Sequence, residues 1–223
     1  MQIVFTKKVP AGGGATSFIF TPSEPLIWIA GQAVRLEIPG VYGPEEHPFT
    51  ISAAPYRQQI EITTRPSEST YKQALFSMVP GTLAQAYDIR GDFTWGEGTM
   101  PRVFVASGIG VTPFVAILGQ RQHESQPLSA TLLYAFRKGE GVFIERLQQL
   151  HAAHPELHLH LLEASRMSAE LINVHVPNLA ANMVYLAGPT VMVDDIANAL
   201  SQKYRIPDAQ LKKDWFTGRL GPE

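Results

Sequence analysis

The chain has 223 residues, with 18 lysines and arginines against 20 aspartates and glutamates, a formal net charge of −2 and no cysteine. A near-neutral chain without a dense basic run lacks the electrostatic footprint of a nucleic-acid binder, so nucleic acid is not expected as a partner. The absence of thiols excludes disulfides, a thiolate nucleophile and cysteine-held zinc or iron–sulfur clusters within the chain.

Met1 to Pro10 alternates apolar and polar residues and lacks the apolar core of a secretion signal. No apolar run reaches the roughly 18 residues that cross a bilayer, so a cytoplasmic protein without a membrane span is expected. From there to about Tyr87 the pattern is one of short strands: Phe18 to Phe20, Ala33 to Ile38, Phe49 to Ala53 and Ile60 to Thr64. Turn residues break them at Gly12-Gly13-Gly14, Thr21-Pro22, Pro39-Gly40 and Ala54-Pro55. In the last strand Ile60 and Ile62 face one way, Glu61 and Thr63 the other. A single helix over about Tyr71 to Met78 interrupts them, with Ser69 or Thr70 as its cap.

Gly91 to Pro101 is rich in glycine and carries no periodicity, and the rhythm changes beyond it. Strands at Arg102 to Ala106, Leu132 to Phe136, Leu157 to Leu162 and Met183 to Ala187 alternate with helices. One helix starts at Pro113, one carries Phe143, Leu147 and Leu150 on a face, and the last has Met192, Ile196, Ala199 and Leu200 as its inner face. Continuous apolar strands alternating with amphipathic helices predict a parallel sheet covered on both sides. The expected fold is therefore an α+β two-domain one. An N-terminal antiparallel β-barrel occupies residues 1–97 and a C-terminal α/β parallel-sheet nucleotide-binding domain occupies 98–223.

Two segments of the second half suit an anion. In Val103 to Pro113 a strand ends, Gly108 and Gly110 let a ligand approach the backbone on either side of Ile109, Thr112 can cap the helix and Pro113 fits its first position. Free amides and the positive end of the helix dipole then face a pyrophosphate, although a tight glycine turn that binds nothing has the same signature. Tyr185 to Thr190 repeats the strand-to-helix switch on the same sheet edge, where open α/β sheets bind ligands. Arg137 and Lys138 follow a strand where an adenosine ribose would arrive. With no acidic residue immediately after them they favour a 2'-phosphate, hence NADP(H) over NAD(H); Arg166 is a second candidate, and solvated loop cations are the plain alternative. His158 and His160 share one side of a strand, with His151 and His154 at helical spacing before them. No third ligand is evident, so no metal is expected.

In the first half, Ala30-Gly31-Gln32 precedes His47-Pro48-Phe49-Thr50-Ile51-Ser52. These residues resemble the flavin-binding signature of the ferredoxin-NADP reductase superfamily. Gly108-Ile109-Gly110-Val111-Thr112-Pro113 resembles that family's dinucleotide loop, and Ala187-Gly188-Pro189 with Met192 resembles its Cys-Gly-Pro-x-x-Met element, with Ala187 in place of the cysteine. The resemblance spans nearly the whole chain in the right order. It implies an FAD-dependent NAD(P)H oxidoreductase that passes hydride to FAD, then electrons to a one-electron carrier such as ferredoxin or flavodoxin or to a partner redox subunit. Acceptors of other kinds, a ferric chelate or free flavin, fit the same module, and a flavin-less nucleotide-binding regulatory module is the reading from another class.

The same resemblance implies site residues. Phe49 offers a flat face to the isoalloxazine, the Thr50 hydroxyl lies near flavin N5, and Ser52 alternates with it along the strand. His47 stands where the family often has a phosphate-binding arginine. Thr64, Arg65, Ser69 and Thr70 are the candidates for the flavin pyrophosphate, in a stretch without the family's usual glycine. Near the end, Trp215 or Phe216 resembles the aromatic residue that covers the flavin's second face. Thr50, Ser52 and Phe216 are thus the implied catalytic residues.

Overall fold

A computed structural model describes residues 1–41 and 48–216, Phe216 by its backbone alone. Its contacts divide the chain into two compact units. One holds Met1–Trp95 with Thr112–Ser125; the other holds Gly96–Val111 and the residues from Gln126 onward.

The first unit is built on β1 (Gln2–Gly12), β2 (Ala15–Pro22), β3 (Ala33–Glu37), β4 (Phe49–Thr50), β5 (Ile60–Thr64) and β6 (Leu83–Arg90). They pair antiparallel in the order β4-β3-β6-β1-β2-β5. The β1–β2 hairpin turns on Gly13 and Gly14, at φ of 56° and 72°, the doubly positive geometry that suits the right-handed strand twist and that glycine adopts without strain. The sheet closes on itself just after β4, where the Ser52 amide donates to the Glu61 carbonyl of β5 at 2.8 Å. Phe5, Phe18, Phe20, Leu36, Ile51, Ile60 and Ile62 fill the interior. Helix α1 (Thr70–Ser77) plugs one end with Tyr71 and Leu75, and the Tyr71 hydroxyl donates to the Leu36 carbonyl at 3.0 Å.

The alternation expected along β5 is not what the closed sheet has. All five of its residues are buried, Glu61 and Thr63 included, because the segment after β4 covers the second face. β1 and β6 are also strands that their sequences did not single out.

Helix α2 (Thr112–His123) packs with this unit. Phe114 meets Phe93 with ring centres 5.6 Å apart, and the Arg121 guanidinium lies 3.8 Å from the centre of the Trp95 ring. Gly31 makes close packing possible here: at φ +99°, a Cβ on it would lie 2.1 Å from the Phe93 carbonyl oxygen.

The second unit is a wholly parallel sheet of β7 (Arg102–Ser107), β8 (Ala130–Phe136), β9 (Leu157–Glu163), β10 (Met183–Pro189) and β11 (Leu211–Phe216), ordered β11-β10-β7-β8-β9. Its helices are α3 (Ile144–Ala153), α4 (Ala169–His175) and α5 (Thr190–Tyr204). Val103, Val105, Leu133, Leu186, Ile172 and Ile196 join strands and helices in one core. Phe143, expected on the face of α3, instead precedes the helix with φ at 58°. The buried face of α5 is Val193, Ile196, Ala197 and Leu200, with Met192 and Ala199 only partly buried beside it. Among the described residues no helix is long and apolar enough to cross a membrane.

Candidate functional site

The parallel sheet brings its two strand-to-helix turns into contact. After β7 the chain runs through a 3-10 turn over Gly108–Val111 directly into α2, so that Thr112 is the first helical residue and Pro113 the second. Gly110 lies against the end of β10: a Cβ there would stand 2.3 Å from the Ala187 carbonyl oxygen and 2.8 Å from the Gly188 nitrogen. Gly188 in turn lies against Ser107 and the Met192 methyl group, the latter 2.8 Å from where its own Cβ would be. Gly108, Ile109, Gly110, Ala187, Gly188 and Met192 therefore form one backbone-lined edge, with Pro189 exposed at its rim.

Tyr134, a residue of β8 that the sequence did not single out, holds this edge. Fully buried, its hydroxyl donates to the Gly108 carbonyl at 2.9 Å and accepts from the Val142 amide at 3.0 Å. The only signal available was a tyrosine inside an apolar run, where a buried hydroxyl needs a partner. Arg102 is a second omission. Nearly buried at the start of β7, it donates to the carbonyls of Glu97 and Gly98 at 3.2 and 2.9 Å and also to that of Met100, so it gathers the preceding turn. Burial pushes the nearby Tyr185 phenol up, partly offset by the Arg102 charge.

At the ends of β8 and β9 the candidate ribose contacts adjoin two carboxylates. Arg137 is 87% exposed and 4.0 Å from Glu140, while Glu163 accepts from the Gly139 amide at 2.8 Å. Lys138 and Arg166 are exposed. Ser168 caps α4, accepting from the Leu171 amide at 3.2 Å.

In the first unit, β4 and β5 run antiparallel and meet where Ser52 bonds to Glu61, which carries Thr50 toward the Thr64 and Arg65 end of β5. Thr50 is buried, and Phe49 is half-buried with its ring stacked on Tyr71, centres 5.8 Å apart. Arg65 donates from Nε to the Gly13 carbonyl at 3.0 Å. Ser69 precedes α1, and its own side chain makes no capping bond to the helix that starts at Thr70. A guanidinium, hydroxyls and helix-end amides are donors that suit a pyrophosphate.

Ser52, the other implied catalytic residue of this segment, is held by protein groups. It is fully buried, and its hydroxyl donates to the Glu61 carbonyl at 3.1 Å and lies 2.9 Å from the Thr63 hydroxyl, itself 2.8 Å from that of Ser17. Its hydroxyl shares the second face of the sheet with Thr63 and Ser17, opposite the apolar interior, and ties the end of β4 to β5. His47 lies outside the described residues, and Pro48 beside it is exposed. Trp215 is half exposed and donates to the Asp194 carboxylate at 2.9 Å; Phe216 closes β11, its side chain outside the described residues.

Residues 104–198 match the family of oxidoreductase NAD-binding domains. Two curated relatives share 28% identity with the chain: methane monooxygenase component C of Methylosinus trichosporium over 59% of it, and the flavohemoprotein of Burkholderia sp. (strain TH2) over 69%. The matched stretch spans 39% and 40% of those two proteins. Among solved structures, the flavohem-like FAD/NAD binding domain of nitric oxide dioxygenase from Vibrio cholerae O1 biovar El Tor superposes with a TM-score of 0.82. That match has 21% identity and covers 96% of this chain and 98% of that one.

The match to oxidoreductase NAD-binding domains covers both glycine turns that meet at the edge of the parallel sheet, in a chain that also carries an antiparallel barrel. Over nearly its whole length the chain shares the fold of that FAD/NAD binding domain.

Proposed function

We propose that the protein is a cytoplasmic FAD-dependent NAD(P)H oxidoreductase that delivers electrons to a one-electron carrier such as ferredoxin or flavodoxin, or to a partner redox subunit. Residues 1–97 serve the flavin and 98–223 the dinucleotide. The observation that carries the reading is the backbone contact of Gly110 with Ala187 and Gly188, which joins two anion-binding turns on the strand edge where such sheets hold nucleotides. The described donors of the barrel fit the other cofactor.

When bound, FAD supplies the ring atom N5 that takes hydride from nicotinamide C4 and the capacity to release electrons singly. Everything else is positioning by the chain. Phe49 presents an apolar face, the Thr50 hydroxyl offers a hydrogen bond to N5, and Thr64, Arg65, Ser69 and Thr70 with His47 hold the pyrophosphate. The amides of Gly108 to Gly110 and the start of α2 at Thr112 and Pro113 take the dinucleotide phosphates. Ala187, Gly188, Pro189 and Met192 border the nicotinamide, Arg137, Lys138 and Arg166 reach the adenosine ribose, and Phe216 covers the flavin.

Purified protein should be yellow or become so on reconstitution with FAD, and should bleach on anaerobic addition of NADPH or NADH. A colourless chain that cannot take up FAD overturns the proposal in favour of a regulatory nucleotide-binding module. Comparing ferredoxin, flavodoxin, ferric citrate and free flavin as oxidants of the reduced protein identifies the acceptor. A change of nucleotide preference in Arg137→Ala tests the ribose contact.

A further inference from the structure

The sequence directs attention to His158 and His160, two residues apart on β9. The structure pairs His160 with a different residue, His175, the last of α4. Their ring centres are 4.4 Å apart and their planes inclined by 49°. Both side chains are half-buried, and neither imidazole hydrogen-bonds to a described residue. His151, on the neighbouring α3, is different: its Nδ1 lies 2.6 Å from the Leu157 carbonyl oxygen.

Two half-buried imidazoles in contact, with ring nitrogens that meet no hydrogen-bond partner among the described residues, have lone pairs to offer. Imidazole nitrogen is a ligand that suits copper and nickel, and Cu2+ stands highest in affinity among the divalent first-row ions.

We propose that His160 and His175 form a two-imidazole site for a divalent transition-metal ion of the Cu2+ or Ni2+ kind, bridging β9 to α4. Among the described residues no group of three or more histidines, cysteines or carboxylates is placed to hold a metal, so water completes the coordination and the site is an open one.

The full chain is titrated with CuCl2 and with NiCl2 by calorimetry in a non-coordinating buffer, and the Cu2+ complex is examined by electron paramagnetic resonance. One equivalent should bind, with hyperfine structure from two nitrogens. His160→Gln and His175→Gln, which keep polar side chains of comparable size, should each weaken binding by about tenfold or more, since one of two protein ligands is lost. His158→Gln should stay within about twofold of the parent. Binding and a two-nitrogen signal that survive both His160→Gln and His175→Gln would overturn the proposal, as would their loss in His158→Gln alone. So would a parent chain that takes up neither ion.

Discussion

The imidazole of His123 lies flat on the phenol ring of Tyr56, with centres 4.0 Å apart and planes 12° apart. The Tyr56 amide also donates to the Gln120 side chain at 2.9 Å, so the last turns of α2 are fastened to the loop that follows β4. An aromatic pair of this kind contributes about 0.5 to 1.5 kcal/mol beyond its buried area, and partial exposure of Tyr56 sets the value here at the lower end. A double-mutant cycle of Tyr56→Ala and His123→Ala, read by urea unfolding, should return a coupling of about 0.5 kcal/mol or more. A coupling of zero would make the stack incidental.

Gly110→Ala should separate the two turns of the parallel sheet. Its new methyl group would meet the Ala187 carbonyl oxygen at 2.3 Å, and both neighbours are backbone, which cannot swing aside as a long side chain does. NADPH or NADH should bind at least about tenfold more weakly, or about 1.4 kcal/mol, with the circular dichroism of the fold retained. Unchanged affinity for both nucleotides would show that their binding does not need the turns in contact.

Thr50 and Ser52 should separate by experiment. Ser52→Ala removes one hydroxyl from the chain that joins Ser17, Thr63 and the Glu61 carbonyl, at a cost of about 1 kcal/mol in urea unfolding, and leaves flavin reduction unchanged. Thr50→Ala should slow reduction of the bound flavin with little loss of stability. Slow reduction in Ser52→Ala with unaltered stability would place Ser52 at the reacting centre.

Glu170 of α4 accepts from Lys203 of α5 at 2.8 Å. That bond, a backbone hydrogen bond and the Ser168 hydroxyl lower its carboxyl from 4.5 to about 2. Because the folded value lies below the ordinary one, the contribution to stability is complete above about pH 4.5 and fades as pH falls toward 2. Lys203 is raised by the same partner, so its share is complete below 10.5 and is lost only at higher pH. The melting-temperature difference between the parent and Glu170→Gln should hold steady from pH 5 to 9 and shrink between about pH 4.5 and 2. A difference that is constant down to pH 2 would assign the effect to something other than this ion pair.

Much of the frame was legible because it rests on local patterns. Apolar runs such as Leu132 to Phe136 mark parallel strands, and glycines mark the turns after β7 and within β10. β1 and β6 escaped notice because half of each faces solvent and carries polar residues. Arg102 and Tyr134 were illegible for a related reason: their partners are backbone carbonyls, which any sequence supplies, and only the folded path brings those carbonyls within reach.

Periodicity and turn chemistry, both properties of neighbours along the chain, by themselves determined an antiparallel β-half followed by a parallel α/β-half and placed glycines at the nucleotide edge. The tertiary structure alone decided which side chains are available for chemistry. Ser52 met Thr63 because closure of the barrel brought the end of β4 against β5, and His160 found His175 rather than His158 because a helix returned across its strand. Such pairings depend on distances between residues far apart in the chain, which packing sets and local pattern does not encode.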